Sequence, residues 1–160
     1  MKTIVRFAVV VALAVPALAQ VKETVHLKVT GGKNAGVYGA STERGGCSYG
    51  LSGPGSWGNQ LSQPKDKDPK HFNSLQLIVP DSKAAKSGAK DFFLSVGFGP
   101  LLSRSAEYKV ESRSGQKKTG SGVVTVIDKG TTGTVTFNAT TSDGVKLEGT
   151  IDCKSVMRAP

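Results

Sequence analysis

Gly46-Cys47-Ser48-Tyr49-Gly50 sets a serine in the frame G-x-S-x-G, the pattern of a hydrolase nucleophile. Such a serine works at a sharp strand-to-helix turn, with an acid and a histidine further along the chain. Here the turn residues Glu43-Arg44-Gly45-Gly46 come before the frame, and no helical pattern follows. Cys47, Tyr49 and Leu51 alternate with Ser48 and Gly50, which is the period of a strand. His71 is the only later histidine. The frame therefore reads as strand, and catalysis would need Ser48, Ser56, His71 and Glu107 to meet in three dimensions as a hydrolase or inhibitor site. The reading favours a protein that is not an enzyme.

Cys47 is a second nucleophile by type, but Cys153 is the only other cysteine. Both fall on apolar strand faces, and in an exported chain such a pair forms a disulfide. Metal chemistry needs clustered His, Cys, Asp or Glu. His26 and His71 lie far apart, and Asp66 and Asp68 alternate with lysines in a sequence without calcium-loop spacing. Gly31-Gly32-Lys33-Asn34 lacks the earlier glycine, the Ser or Thr and the helix of a phosphate loop. No cofactor is implied. Asn138-Ala139-Thr140 is a glycosylation sequon in mid-strand.

Charge is the remaining signal. Residues 1–19 hold Lys2 and Arg6 and no acid, so without them the chain has 19 basic and 12 acidic residues, a net charge of +7. Lys65, Lys67, Lys70, Lys83, Lys86 and Lys90 form one group; Lys109, Arg113, Lys117 and Lys118 form another. Such a domain is drawn to anionic polysaccharide or glycolipid. Nucleic-acid readers interleave aromatics and arginines with their cations, and these loops do not, which points away from nucleic acid. Solubility and protection of sheet edges account for the same lysines without a ligand. Trp57, the only tryptophan, lies in the Gly/Pro-rich stretch 52–70, read as one long irregular loop. It is either an aromatic contact for a ligand or a staple of that loop onto the core. Gly55-Ser56-Trp57 also has the G-x-W form that opens lipocalins, but it follows three strands here. Three residues establish no kinship; they raise the alternative of a hydrophobic-ligand carrier with a barrel cavity near Trp57.

The elements that must position these residues are strands. Val25, Leu27 and Val29 alternate with polar residues, as do Leu75, Leu77 and Val79, and Phe92, Leu94, Val96 and Phe98. Val123 to Ile127 is apolar on both faces, the mark of a covered central strand. Asp81 to Lys90 allows a superficial helical turn or two behind an Asp81 cap. The clearest element is a hairpin over Gly133 to Cys153, turning at Ser142-Asp143-Gly144 and carrying Cys153 on its apolar face. Ser155 to Pro160 reads as a frayed tail. About nine short strands without an amphipathic helix predict an all-β fold, an antiparallel β-sandwich with one inter-strand disulfide, a small β-barrel being the alternative.

Met1 to Arg6 is basic, Phe7 to Val15 is an apolar stretch too short to span a bilayer, and Ala17-Leu18-Ala19 offers small residues for cleavage before Gln20. Residues 1–19 thus read as a signal peptide and 20–160 as a single domain, periplasmic or secreted, with no transmembrane segment after signal removal. Intact-mass measurement of the exported protein is expected to show Gln20 as its first residue; a retained Met1 would refute the signal peptide.

Overall fold

The computed structural model describes residues 20–43, 45–63, 67–100 and 103–160. The signal-peptide reading of 1–19 and Lys65 lie outside the described residues. Among the described residues, eleven strands form two sheets. The chain opens with β1 (Glu23–Thr30) and β2 (Gly36–Thr42), a hairpin in the first sheet. It then lays down β3 (Gly46–Tyr49), β4 (Trp57–Ser62), β5 (Phe72–Val79), β6 (Phe93–Phe98) and β7 (Ala106–Glu111) in the second. β8 (Gly120–Asp128), β9 (Gly133–Thr141) and β10 (Lys146–Cys153) return to the first sheet, and β11 (Val156–Arg158) ends in the second. The first sheet has the order β2-β1-β10-β9-β8 and the second β11-β3-β4-β5-β6-β7. All pairings are antiparallel except β11 with β3. The architecture is a sandwich, and the sheets do not close into a barrel.

Alternation dictates what lies between the sheets. Val25, Leu27 and Val29 of β1 are buried, as are Val135, Phe137 and Ala139 of β9 and Leu147 and Ile151 of β10. They face Leu75, Leu77 and Val79 of β5 and Leu94, Val96 and Phe98 of β6, all buried in one cluster. The hairpin of β9 and β10 pairs in continuous register from Thr140↔Lys146 to Gly133↔Cys153, with Gly144 at φ 87° in the turn, a conformation that glycine adopts without strain.

Cys47 of β3 and Cys153 of β10 form the expected disulfide, their Cα atoms 5.8 Å apart. Because β3 and β10 belong to different sheets, the bridge is a covalent tie through the core.

Four sequence expectations are corrected. The stretch 52–70 is not one loop: Trp57–Ser62 is a strand in the interior of the second sheet, with Gly58 inside it and the prolines, Gly53 and Gly55 outside it. Val123 to Ile127 is not central: β8 is an edge strand, and Val123 and Ile127 project from its outer face at 41% and 45% exposure. The segment after Asp81 is a single 3-10 turn, Ala84–Ser87, and is not superficial. Its Ala85 is fully buried, and Ala89 bridges to Val124, covering part of the β8 edge. The tail is paired as well: Arg158 holds Asp128 at 2.5 Å and lies over the Tyr49 ring, 4.9 Å from its centroid.

The bridge closes a loop with a sequence separation of 106. The chain-entropy model assigns such a loop about 5 kcal/mol. The Cys47→Ala/Cys153→Ala variant should therefore melt on the order of 15 °C lower in calorimetry. A near-unchanged Tm would show that the sheets stay registered without the tie.

Candidate functional site

The outward side chains of the second sheet form rows across its strands. Gln60 of β4 stands opposite Gln76 of β5, Gln76 opposite Ser95 of β6, and Ser95 opposite Lys109 of β7. With strands about 4.8 Å apart, this polar row spans roughly 14 Å. A second row reads Ser62, Ser74, Gly97, Glu107, and a third reads Gly58, Ile78, Phe93, Glu111. Glycines and serines keep the centre low, so the face is hollowed. One depression of about 330 Å³ runs from Gln60 to Arg104, Glu107 and Lys109. Another of about 300 Å³ continues toward Lys22, Ser48, Gly58 and Met157. The two lie side by side, bordered in common by Gln60 and Gln76, and are together called the trough. It offers amides and hydroxyls, which both donate and accept. Its aromatic, Phe93, already carries the Arg113 guanidinium 5.3 Å from the ring centroid.

Ionised groups gather at one end. Glu107 accepts from Ser95 Oγ at 3.0 Å and from Arg104 Nη1, and pairs with Lys109 Nζ at 2.8 Å. Burial alone would raise its pKa; the hydrogen bonds from Lys109 and Ser95 and the charges of Lys109 and Arg104 outweigh that and hold it below the usual carboxylate range. Arg113 similarly holds Glu111 down, chiefly by a bidentate pair at 2.9 and 2.7 Å.

The residues expected from the sequence to bind a ligand are not brought together. Trp57 is fully buried on β4 and packs in the core, the position of a staple. A Cβ on Gly133 would come within 2.7 Å of the indole, so the bare backbone of β9 is what admits the ring. The sheets do not close into the barrel expected to hold a cavity near Trp57. Lys67 and Lys70 lie in the connection before β5, and Lys83, Lys86 and Lys90 in the connection after it. The eight residues of β5 set these groups roughly 25 Å apart. Lys83, Lys86 and Lys90 instead join the Arg113, Lys117 and Lys118 loop, which is tied to theirs by Ser112 Oγ donating to Lys90 O at 2.7 Å and Ser114 N donating to Asp91 Oδ1 at 2.8 Å. Ser48 on β3 and Glu107 on β7 are separated by three strands, and Ser56 is buried, so these do not assemble around His71. The G-x-S-x-G frame is a strand paired on both sides. Among the described residues, no three His, Cys, Asp or Glu side chains are grouped so as to hold a metal ion.

Glu23 escaped the sequence reading. It is fully buried beside the disulfide, 3.5 Å from Cys47 Sγ, and Asn59 Nδ2 donates to its Oε2. Glu23 Oε1 and Asn59 Oδ1 have no partner. A proton on Glu23 Oε1 would turn that unpartnered acceptor into a neutral donor. Loss of solvation drives its pKa up to about 7, against the smaller opposing effect of the Asn59 hydrogen bond. The sequence did carry a signal, since Glu23 is in phase with Val25, Leu27 and Val29 on the inward face of β1.

Comparison with known proteins gives no relative from which to argue: no family model matches the chain, and no curated protein or solved structure is significantly similar to it. Among the described residues no helix is long and apolar enough to cross a membrane.

Glu23 gives stability a pH dependence. The folded chain keeps this proton up to about pH 7, whereas the unfolded chain releases it near 4.5. Stability from this group is therefore complete below pH 4.5, falls as the pH rises between the two values, and levels off above the upper one. The whole span is worth roughly 3 kcal/mol. Urea titrations of Glu23→Gln should lack that slope and show a more stable protein than wild type at pH 8; a slope that survives the substitution would assign it to other groups.

Proposed function

We propose that this chain is an exported, non-enzymatic module of the cell envelope that binds an extended glycan, free or as a glycolipid headgroup, along the trough of its second sheet. The observation that carries the reading is the row Gln60, Gln76, Ser95, Lys109, set at strand spacing across a hollowed face. A ligand that meets such a row needs a hydroxyl or a comparable polar group at short regular intervals, which is the constitution of a polysaccharide. Side-by-side amides donate and accept at once, as sugar hydroxyls do. Ile78 beside the row supplies apolar contact for the C–H face of a ring.

Export is supported by the basic, apolar and small-residue sequence of residues 1–19 and by the inter-sheet disulfide. Anionic polymers are favoured by the net charge of +7 and by the lysines at both ends of β5. The lysines act at long range and the trough at contact.

Retention on an immobilised anionic polysaccharide should fall as salt rises. Gln60→Ala/Gln76→Ala should weaken binding about tenfold at fixed salt, by the loss of two hydrogen-bonding side chains. Retention unaffected by this pair would remove the trough from the binding surface, and no retention at low salt would refute the glycan reading.

A further inference from the structure

Building on the glycan reading, we infer that Arg104 and Lys109, held in place by Glu107, form a subsite for the carboxylate of an acidic sugar at the β7 end of the trough. Arg104 and Lys109 flank one carboxylate, which leaves the group with a single net positive charge. Both Glu107 oxygens are engaged, Oε1 by Arg104 and Ser95 and Oε2 by Lys109, so the acid fixes the two cations and has little left for a ligand. The cations do have capacity. Their side chains are 36% and 52% exposed, and of five guanidinium donors and three ammonium donors each spends one on Glu107. One further carboxylate would neutralise the group, and a planar guanidinium suits a planar carboxylate. A dianionic phosphate monoester would overshoot that balance.

The backbone beneath is built irregularly at this point. Register shifts between Phe72 and Ser74, so Asn73 is an extra residue in β5, a bulge next to the cluster. Asn73 is fully buried; its Nδ2 donates to Gly99 O, and its Oδ1 has no partner. The space over Gly97 is shared by three side chains: a Cβ there would meet Ser74 Oγ first and would lie 2.9 Å from this oxygen and 3.3 Å from Arg104 Nε. An acceptor lacking a donor and a guanidinium thus converge where β6 has no side chain. A sugar acid presents its carboxylate to the exposed Arg104 and Lys109 cations and its ring hydroxyls to Ser74, Gln76 and Ser95 along the same depression. The adjoining depression of about 330 Å³ is within the size range of small-molecule sites.

The test compares a galacturonic acid hexamer with the same hexamer methyl-esterified, by calorimetry on the exported protein at fixed salt. The acid form should bind at least tenfold more tightly, about 1.4 kcal/mol. Arg104→Gln and Lys109→Gln should each lose most of that preference while still binding the ester. Glu107→Gln, which removes the competing charge, should keep or enlarge it. A Lys28→Gln/Lys146→Gln variant, on the first sheet away from the trough, should leave the preference intact, and melting curves would confirm that each variant folds. Equal binding of acid and ester would overturn the subsite and leave the glycan reading standing. A preference that the first-sheet pair removes as fully as Arg104→Gln does would also overturn it. Binding of neither hexamer would remove both.

Discussion

The tie between Cys47 and Cys153 is the constraint on which the rest of the molecule depends. The backbone ladders of a two-sheet sandwich do not run from one sheet to the other, and its registration rests on side-chain contacts. Here a covalent bond crosses that gap from β10, the middle strand of the first sheet, to β3, near the edge of the second. Glu23 and Asn59 sit directly against it and add a polar contact through the same core. A buried polar pair is weak as a source of stability, but it tolerates few alternative arrangements. Bridge and pair together fix β3 and β4, and β4 supplies one end of the polar row on the outer face.

Because the inner faces carry the cohesion, the outer face of the second sheet is free of it. Gly58 and Gly97 would be poor choices for a face that had to pack, since they offer no side chain to bury. On the outer face each makes room for a neighbour: a Cβ on Gly58 would lie 2.7 Å from Ser48 Oγ, and one on Gly97 would meet Ser74 Oγ and Asn73 Oδ1. In the interior, at Gly133, the absence of a Cβ lets the indole of Trp57 fill the space against β9. On both faces glycine admits a side chain from an adjoining strand, a polar one outside and an aromatic one inside.

How much of this was legible in the sequence follows from the range of each interaction. The hairpin of β9 and β10 needs only alternation and an Asp-Gly turn, both local, and its reading stands. The two cysteines are too few for the pairing to be ambiguous. Trp57 and β4 were misread because Gly and Pro on either side outweighed a short strand whose apolar members are Trp57 and Leu61. β8 was misplaced because Val123 and Ile127 raise hydrophobicity without revealing that one face stays open. β11 gains its strand character from a parallel partner more than a hundred residues earlier. The trough was out of reach for the same reason. Gln60, Gln76, Ser95 and Lys109 are unremarkable singly and become a row only when four strands settle in one register. Asn73 is further hidden, because a bulge does not announce itself by residue type.

The distribution of charge reads differently once the fold is known. In sequence the lysines between 65 and 90 look like one basic segment; in space those that are described stand at opposite ends of β5, with the polar face between them. Separated charges of one sign cannot grip a small anion between them. They can raise the potential along the length of a face, drawing an extended polyanion into line with it. With a Debye length of about 8 Å at physiological salt, each group acts on the part of the polymer nearest to it. Selectivity at the level of a single sugar must then come from groups that meet the ligand inside the trough. Arg104, Glu107 and Lys109 are ionised groups in such a position, and their charges are already organised around one another before any ligand arrives.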